Sequence, residues 1–225
     1  MYMKLVLLCA VSIGIQLSDV SAQRIRWEVT DGGNGHWYEV FQGPIDSVFG
    51  GIHRVIDWPD AYFNAHAHGG YLATITSAEE NEFVFSLTDS PEYWQGDGIG
   101  NYFGPWLGAI QEPGDRDPSV GWQWVTGEPF EFTNWHPGEP NDLFGQIDEN
   151  RIAFFASESS TGLRSAFWND EQATRLIVTA YVVESVPEPS NFVMVVLLTC
   201  IWQLMKKPLA GVTNYLNCSH ERLLP

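Results

Sequence analysis

The stretch NWHPGEPNDLFGQIDEN, residues 134 to 150, has neither the 3.6-residue period of a helix nor the alternation of a strand. Glu139, Asn141, Asp142, Asp148, Glu149 and Asn150 crowd it with oxygen-bearing side chains, among two prolines and two glycines. It contains no Lys or Arg. A fold for this chain must therefore carry an irregular loop of acceptors and offset their mutual repulsion. The rest of the chain must supply the frame that holds it.

That frame is legible between residues 23 and 185. HWYEVFQG (36–43) is aromatic and β-branched and ends at Gly, which predicts a strand. Asp57 before Trp58-Pro59 predicts a helix start, and Gly69-Gly70 its stop. YLATI (71–75) predicts a short buried strand. TSAEENEFVFSLT (76–88) predicts a second helix, with Ser77 and Glu80 as a capping box and Phe83, Val84 and Leu87 as its apolar face. PWLGAI, GWQWVTG, RIAFFAS, SAFWND and RLIVTAYVVES then read as strands separated by loops. A strand, two helices and a run of strands is an α+β order.

Composition narrows the class. The chain has 225 residues, a net charge of -17 and 14% aromatic residues, including ten tryptophans. That much aromatic material argues for a packed core and against disorder. The acidity disfavours nucleic acid, because phosphate contacts need Lys and Arg. It suits cations, neutral sugars or a simply solvated surface. Cys9, Cys200 and Cys218 all lie outside residues 23–185, so the central domain has neither a disulfide nor a thiolate metal site.

Both ends read as addresses. Residues 1–22 run from Lys4 through an apolar stretch, Leu5 to Leu17, to Val20-Ser21-Ala22. This is the order of a secretory signal peptide, cleaved after Ala22. Residues 186–207 open with Val186-Pro187-Glu188-Pro189-Ser190, continue through an apolar run at 192–205 and close on Lys206-Lys207. The basic pair marks the cytoplasmic side of a membrane segment, which is short for a full span. This tail resembles the PEP-CTERM sorting signal of bacterial exported proteins. The resemblance implies an exosortase-like processing enzyme and a Gram-negative cell envelope. Residues 208–225 form an atypical tail, since such signals usually stop at the basic cluster. An ordinary C-terminal membrane anchor is the alternative.

HWYEVF, GGYLATITSAEENEFV, WLGA, GWQWVTGEPFEFTNWHPGEPN and FWND, in that order, resemble the C-type lectin-like domain over about residues 34–184. The resemblance implies two helices, two small antiparallel sheets and a long loop carrying the ligand site. Arg151 stands where the vertebrate pattern places a disulfide cysteine, and no cysteine precedes Val183-Glu184, so the expected fold is disulfide-free.

The acidic loop then has a chemical reading. Calcium takes six to eight oxygen ligands in a flexible arrangement. The resemblance implies one Ca2+ held by Glu139, Asn141, Glu149, Asn169 and Asp170, with Pro140 in a cis bond and Asp170 giving a side-chain and a backbone oxygen. Two open coordination positions would take vicinal sugar hydroxyls, each also paired with Glu139, Asn141, Glu149 or Asn169. An ionised Glu139 only accepts, whereas the Asn141 amide donates. In this family the Glu-Pro-Asn order implies mannose-type sugars (mannose, glucose, fucose or GlcNAc), and Gln-Pro-Asp implies galactose. Asp142 marks a candidate second calcium, with Asp115 and Asp117; GDRDPS reads equally as a polar turn.

Other chemistry finds no footing. His66 and His68 are two apart on a helix and do not face each other. GDGIGNYFG (96–104) lacks the dinucleotide fingerprint and its strand–helix context. No Gly-x-Ser-x-Gly or catalytic cysteine arrangement is present. The sequence therefore predicts a non-catalytic, exported, calcium-dependent carbohydrate-binding domain. The alternative is a protein–protein adhesion module whose loop is stiffened by calcium or ion-free.

Overall fold

A computed structural model describes residues 23–46, 53–112, 117–143 and 149–187. The signal segment, the apolar run at 192–205, the tail and all three cysteines lie outside the described residues. The chain divides into two units, Met1–Val186 and Pro187–Pro225. The first carries the fold described below. Among the described residues no helix is long and apolar enough to cross a membrane.

In chain order the elements are β1 (Ile25–Arg26), β2 (Trp37–Gln42), β3 (Ile45–Asp46), β4 (His53–Arg54), α1 (Trp58–Ala67), β5 (Tyr71–Leu72), α2 (Ala78–Thr88), β6 (Gln95–Gly96), β7 (Asn101–Gln111), β8 (Trp122–Trp124), β9 (Arg151–Ser157), β10 (Trp168–Glu171) and β11 (Ala180–Ser185). The helix starts follow from local chemistry. Asp57 accepts the Asp60 amide at 2.9 Å, with Pro59 in the first turn of α1. Ser77 accepts the Glu80 amide at 3.1 Å to open α2. Glu80 does not complete the predicted capping box. Its Oε2 accepts from the Thr76 amide and hydroxyl instead, at 2.7 and 2.8 Å.

The sheets differ from the expected pair of small antiparallel ones. Nine strands join in the order β1-β2-β11-β7-β9-β10, with β5 on β11 and both β6 and β8 on β7. Only β3 and β4 stand apart among the described strands. The reason is the length of β7. Its middle meets β11 in parallel at Trp106 and Tyr181, while its ends take β6 and β8. Both bridging aromatics are buried, so the junction lies within the core. Gly108 lies where β7 passes β5. A Cβ there would meet the Leu72 carbonyl oxygen at 2.2 Å, so no larger residue fits without a backbone shift.

Tryptophans dominate the core on the loop side. Trp122 and Trp124 are buried on one face of β8, with Gln123 exposed on the other. Trp168 is fully buried and packs edge-on against Trp124, Phe132 and Trp135. Its indole N–H donates to Asn81 at 2.8 Å, tying β10 to α2. A disulfide in a small secreted domain contributes about 2–5 kcal/mol. Truncating one buried tryptophan costs about 3–5 kcal/mol, so these rings act on the same scale as a missing cross-link. Arg151 lies over the Trp58 ring at 4.5 Å. It also donates to the Asn150 backbone and side-chain oxygens at 2.7 and 2.8 Å.

Two buried carboxylates stitch the other end of the sheet. Glu184, 1% exposed, accepts the Thr74 amide and hydroxyl and sits 2.6 Å from His36 Nδ1. Glu80 accepts from Tyr38 and Asn34 at 2.5 and 2.9 Å. Each buried charge is thereby matched by donors rather than left bare.

Candidate cation and ligand site

The loop after β8 reaches the sheet through one parallel bridge, Trp135 to Trp168, and is anchored on either side of it. The Trp168 amide donates to the Asn134 carbonyl, and the His136 amide donates to the Trp168 carbonyl, both at 2.9 Å. Trp135, half-buried, therefore packs against the core, on Trp122 as well as Trp168. His136 is 8% exposed, with Nε2 3.0 Å from the Ser160 hydroxyl. Neither ring stands free beside the acidic loop.

Beyond His136 the chain turns at Gly138 and passes through a cis Glu139-Pro140 bond, as the resemblance implies. Asp142 follows in the left-handed region, with φ of 43°. Asp170 holds this turn. Its carboxylate accepts the Asn141 amide at 3.0 Å and the Asp142 amide at 2.7 Å. Glu149, 4% exposed, accepts the Leu143 amide at 2.7 Å, and its own amide donates to Asp142 at 3.3 Å. Residues 144–148, including Asp148, lie outside the described residues.

Of the five residues expected to bind calcium, Glu139, Asn141, Glu149 and Asn169 line one cleft of about 210 Å³. Asp170 stands behind them, fully buried, with its carboxylate turned to the loop backbone. Its backbone oxygen accepts from the Asn169 side-chain amide at 2.6 Å, which leaves Asn169 Oδ1 as that side chain's acceptor. Asp142 commits one carboxylate oxygen to the loop itself. Asp117 accepts from Ser119 as a polar turn, and Asp115 lies outside the described residues.

The electrostatics are those of acids pressed together. Burial, then the charge of Asp170, pushes the Glu139 carboxyl up to about 8. Burial, opposed by the Leu143 amide and reinforced by the Glu171 charge, pushes Glu149 up to about 7. Asp170 is raised by burial, against the pull of the Asp142 and Asn141 amides. Glu139 Oε2 is buried with no hydrogen-bond partner. Among the described residues no three His, Cys, Asp or Glu side chains converge closely enough to hold a metal ion by themselves. The donor set here mixes carboxylates with amides, which is the chemistry of a hard-cation site rather than of an imidazole or thiolate one. Hard oxygens, an orphaned buried acceptor and raised carboxyl groups all fit a divalent cation.

The cleft has walls that sequence reasoning missed. Asp97, Ile99, Asn101 and Phe103 come from the β6–β7 hairpin, and Glu171 and Arg175 from β10 and the loop after it. The hairpin is the glycine-rich stretch considered only for dinucleotides. Strand alternation from Asn169 was the available signal for Glu171.

The model of the lectin C-type domain matches residues 55–174. The chain belongs to this family. A perlucin-like protein of Mytilus galloprovincialis is 30% identical over 87 residues, covering 38% of this chain and 49% of that protein. Ladderlectin of Oncorhynchus mykiss is 30% identical over 89 residues, covering 40% and 41%. Asialoglycoprotein receptor 1 of Rattus norvegicus is 29% identical over 93 residues, covering 39% and 25%. The matches thus span about half or less of these relatives. Among solved structures, the cow CD23 C-type carbohydrate-recognition domain, determined in the presence of GlcNAc2Man3 oligosaccharide, is 23% identical with a TM-score of 0.45. It covers 68% of this chain and 90% of that one. The C-type lectin fold of this chain is α+β, with two helices and a mixed sheet.

Proposed function

We propose that this C-type lectin domain is a non-catalytic module that binds carbohydrate through a calcium ion held in the cleft. The observation that carries the reading is the convergence of Glu139, Asn141, Glu149 and Asn169 on one cleft, with Glu139 Oε2 buried and unpartnered. Bound calcium supplies positive charge for the lone pairs of vicinal hydroxyls. Glu139, once ionised, accepts hydrogen bonds from those hydroxyls, and the Asn141 amide donates to them. Asp170 keeps both residues in place through the loop backbone. Ile99 and Leu143, both exposed on the cleft, offer apolar surface to the C–H face of a sugar ring. The Glu-Pro-Asn order favours mannose-type over galactose-type sugars.

Residues 1–22 and 186–207 support an exported location in a bacterial cell envelope, reached through a signal peptide and a PEP-CTERM-like tail that an exosortase-like enzyme processes. An adhesion module for a protein partner, with calcium only ordering the loop, is the second reading. The same exposed Ile99 and Leu143 favour it.

The deciding experiment is a thermal melt of the full-length protein with calcium and with chelator, followed by competition among mannose, GlcNAc and galactose. A calcium-dependent rise in midpoint and mannose-type competition support the proposal. No shift at millimolar calcium sinks the ion site and the sugar mechanism together. A calcium shift with no competition by any sugar leaves the adhesion reading.

A further inference from the structure

A second cavity lies where the end of β2 meets α1, β4 and β11. It measures about 280 Å³, against about 210 Å³ for the cation cleft, and the two share no lining residue. Phe41, Gln42, Arg54, Asn64, His68 and Tyr181 line it, beside Gly43 and Pro44. The chain carries 28 acids against 11 Lys and Arg, yet no Asp or Glu is among these described lining residues. Arg54 is half-buried. Its Nη1 donates to the Gly43 carbonyl at 3.0 Å, which fixes the guanidinium at the cavity wall. Arg26, Arg164 and Arg175 each pair with a carboxylate; among the described residues Arg54 has no such partner. A partly desolvated guanidinium is a rigid fork of donors that matches a carboxylate.

The remaining lining suits a hydroxylated ring. His68 stacks on Phe41 with centroids 3.9 Å apart, and Phe41 stacks on Tyr181 at 5.6 Å, which makes an aromatic wall for C–H groups. Gln42 donates its amide nitrogen to the Glu92 carbonyl at 3.1 Å, so its oxygen is left to accept from a hydroxyl. The exposed Asn64 amide offers both a donor and an acceptor. The volume sits at the lower end of ligand cavities, which run to about 300–1,000 Å³, and sets the ligand at about one sugar ring. We propose that this cavity binds an acidic sugar without a metal ion, Arg54 pairing with the carboxylate and Gln42, Asn64 and His68 with ring hydroxyls. The site neither needs nor touches the cation cleft, so either can fail alone.

The test is a ligand-observed NMR titration of the full-length protein with glucuronate, glucose and acetate, in chelator and at matched ionic strength. Chelator keeps calcium out of the cation cleft, so binding there through the ion does not contribute. Glucuronate should bind at least about tenfold more tightly than glucose, which lacks the carboxylate, and than acetate, which lacks the ring. Arg54→Gln should weaken glucuronate by about tenfold or more. Asn64→Asp, which adds a like charge at an exposed helix position, should weaken it several-fold. Glucuronate binding no tighter than glucose overturns the proposal. Acetate binding as tightly as glucuronate overturns it too, because the ring is then not recognised. Unchanged affinity in Arg54→Gln puts the carboxylate elsewhere and overturns it. Should Arg54→Gln not fold, Asn64→Asp decides in the same way.

Discussion

Asp170 accepts the backbone amide of Asn141 with both carboxylate oxygens, each at 3.0 Å, across 29 positions of sequence. This contact, with the neighbouring Asp142 amide at 2.7 Å, shapes the turn that presents Glu139 and Asn141 to the cleft. Asp170→Ala leaves two amides without their acceptor, at about 1–3 kcal/mol each. The expected result is a midpoint lower by roughly 5 °C or more in chelator. Asp170→Asn, which keeps an acceptor, should lose clearly less. Equal midpoints for Asp170→Ala and the unmodified protein would show that the turn holds without this contact.

Protons and calcium compete for the same oxygens. Glu139 and Glu149 sit near 8 and 7, raised first by burial and then by neighbouring acids. A raised carboxyl favours the protonated native state. That contribution is fully present below the ordinary carboxylate range and is lost as pH rises through about 7 to 8. Calcium must displace those protons, so its stabilising effect should grow between pH 5.5 and pH 8.5. Melting curves at both pH values, with calcium and with chelator, measure it. A calcium shift as large at pH 5.5 as at pH 8.5 contradicts the competition.

A second, separate pH dependence belongs to His36. The hydrogen bond to buried Glu184 raises its pKa, with Glu184, Glu128 and Glu80 adding charge and burial opposing them. The group's folded value therefore lies above its ordinary one. Its stabilisation is full below about 6.5 and disappears as pH rises through the raised folded value. His36→Gln should melt below the unmodified protein at pH 6, and the gap should narrow towards pH 9. A gap that stays constant over that range assigns His36 a packing role instead.

Trp168 is predicted to be the side chain whose loss the fold tolerates least. It fills the centre of the aromatic cluster, and its N–H satisfies Asn81. Trp168→Ala should cost about 3–5 kcal/mol by cavity formation, with the unpaired Asn81 oxygen adding to it. Urea unfolding gives the number. A loss under about 1 kcal/mol would mean that the cluster closes over the gap.

Much of this architecture could be read from residues alone. Asp57 and Ser77 announced both helix starts because a cap acts on an amide three residues away. GWQWVTG contains β8, and RIAFFAS coincides with β9. The candidate ligand residues of the cleft were legible only through family motifs, since Glu139 and Asn169 are thirty positions apart with no periodic relation.

The destinations of long side chains were not legible. Glu80 had the spacing of a capping box, yet tertiary packing brought Tyr38 and Asn34 to it. Asp97 and Glu171 belong to different hairpins and share a cleft only because β6 and β10 flank the central strands. Local chemistry, which acts over three or four residues, determined where elements begin and which faces are apolar. The tertiary structure alone decided which buried acids face one another. That depends on how the finished elements pack, and on charges whose cost appears only once water is excluded.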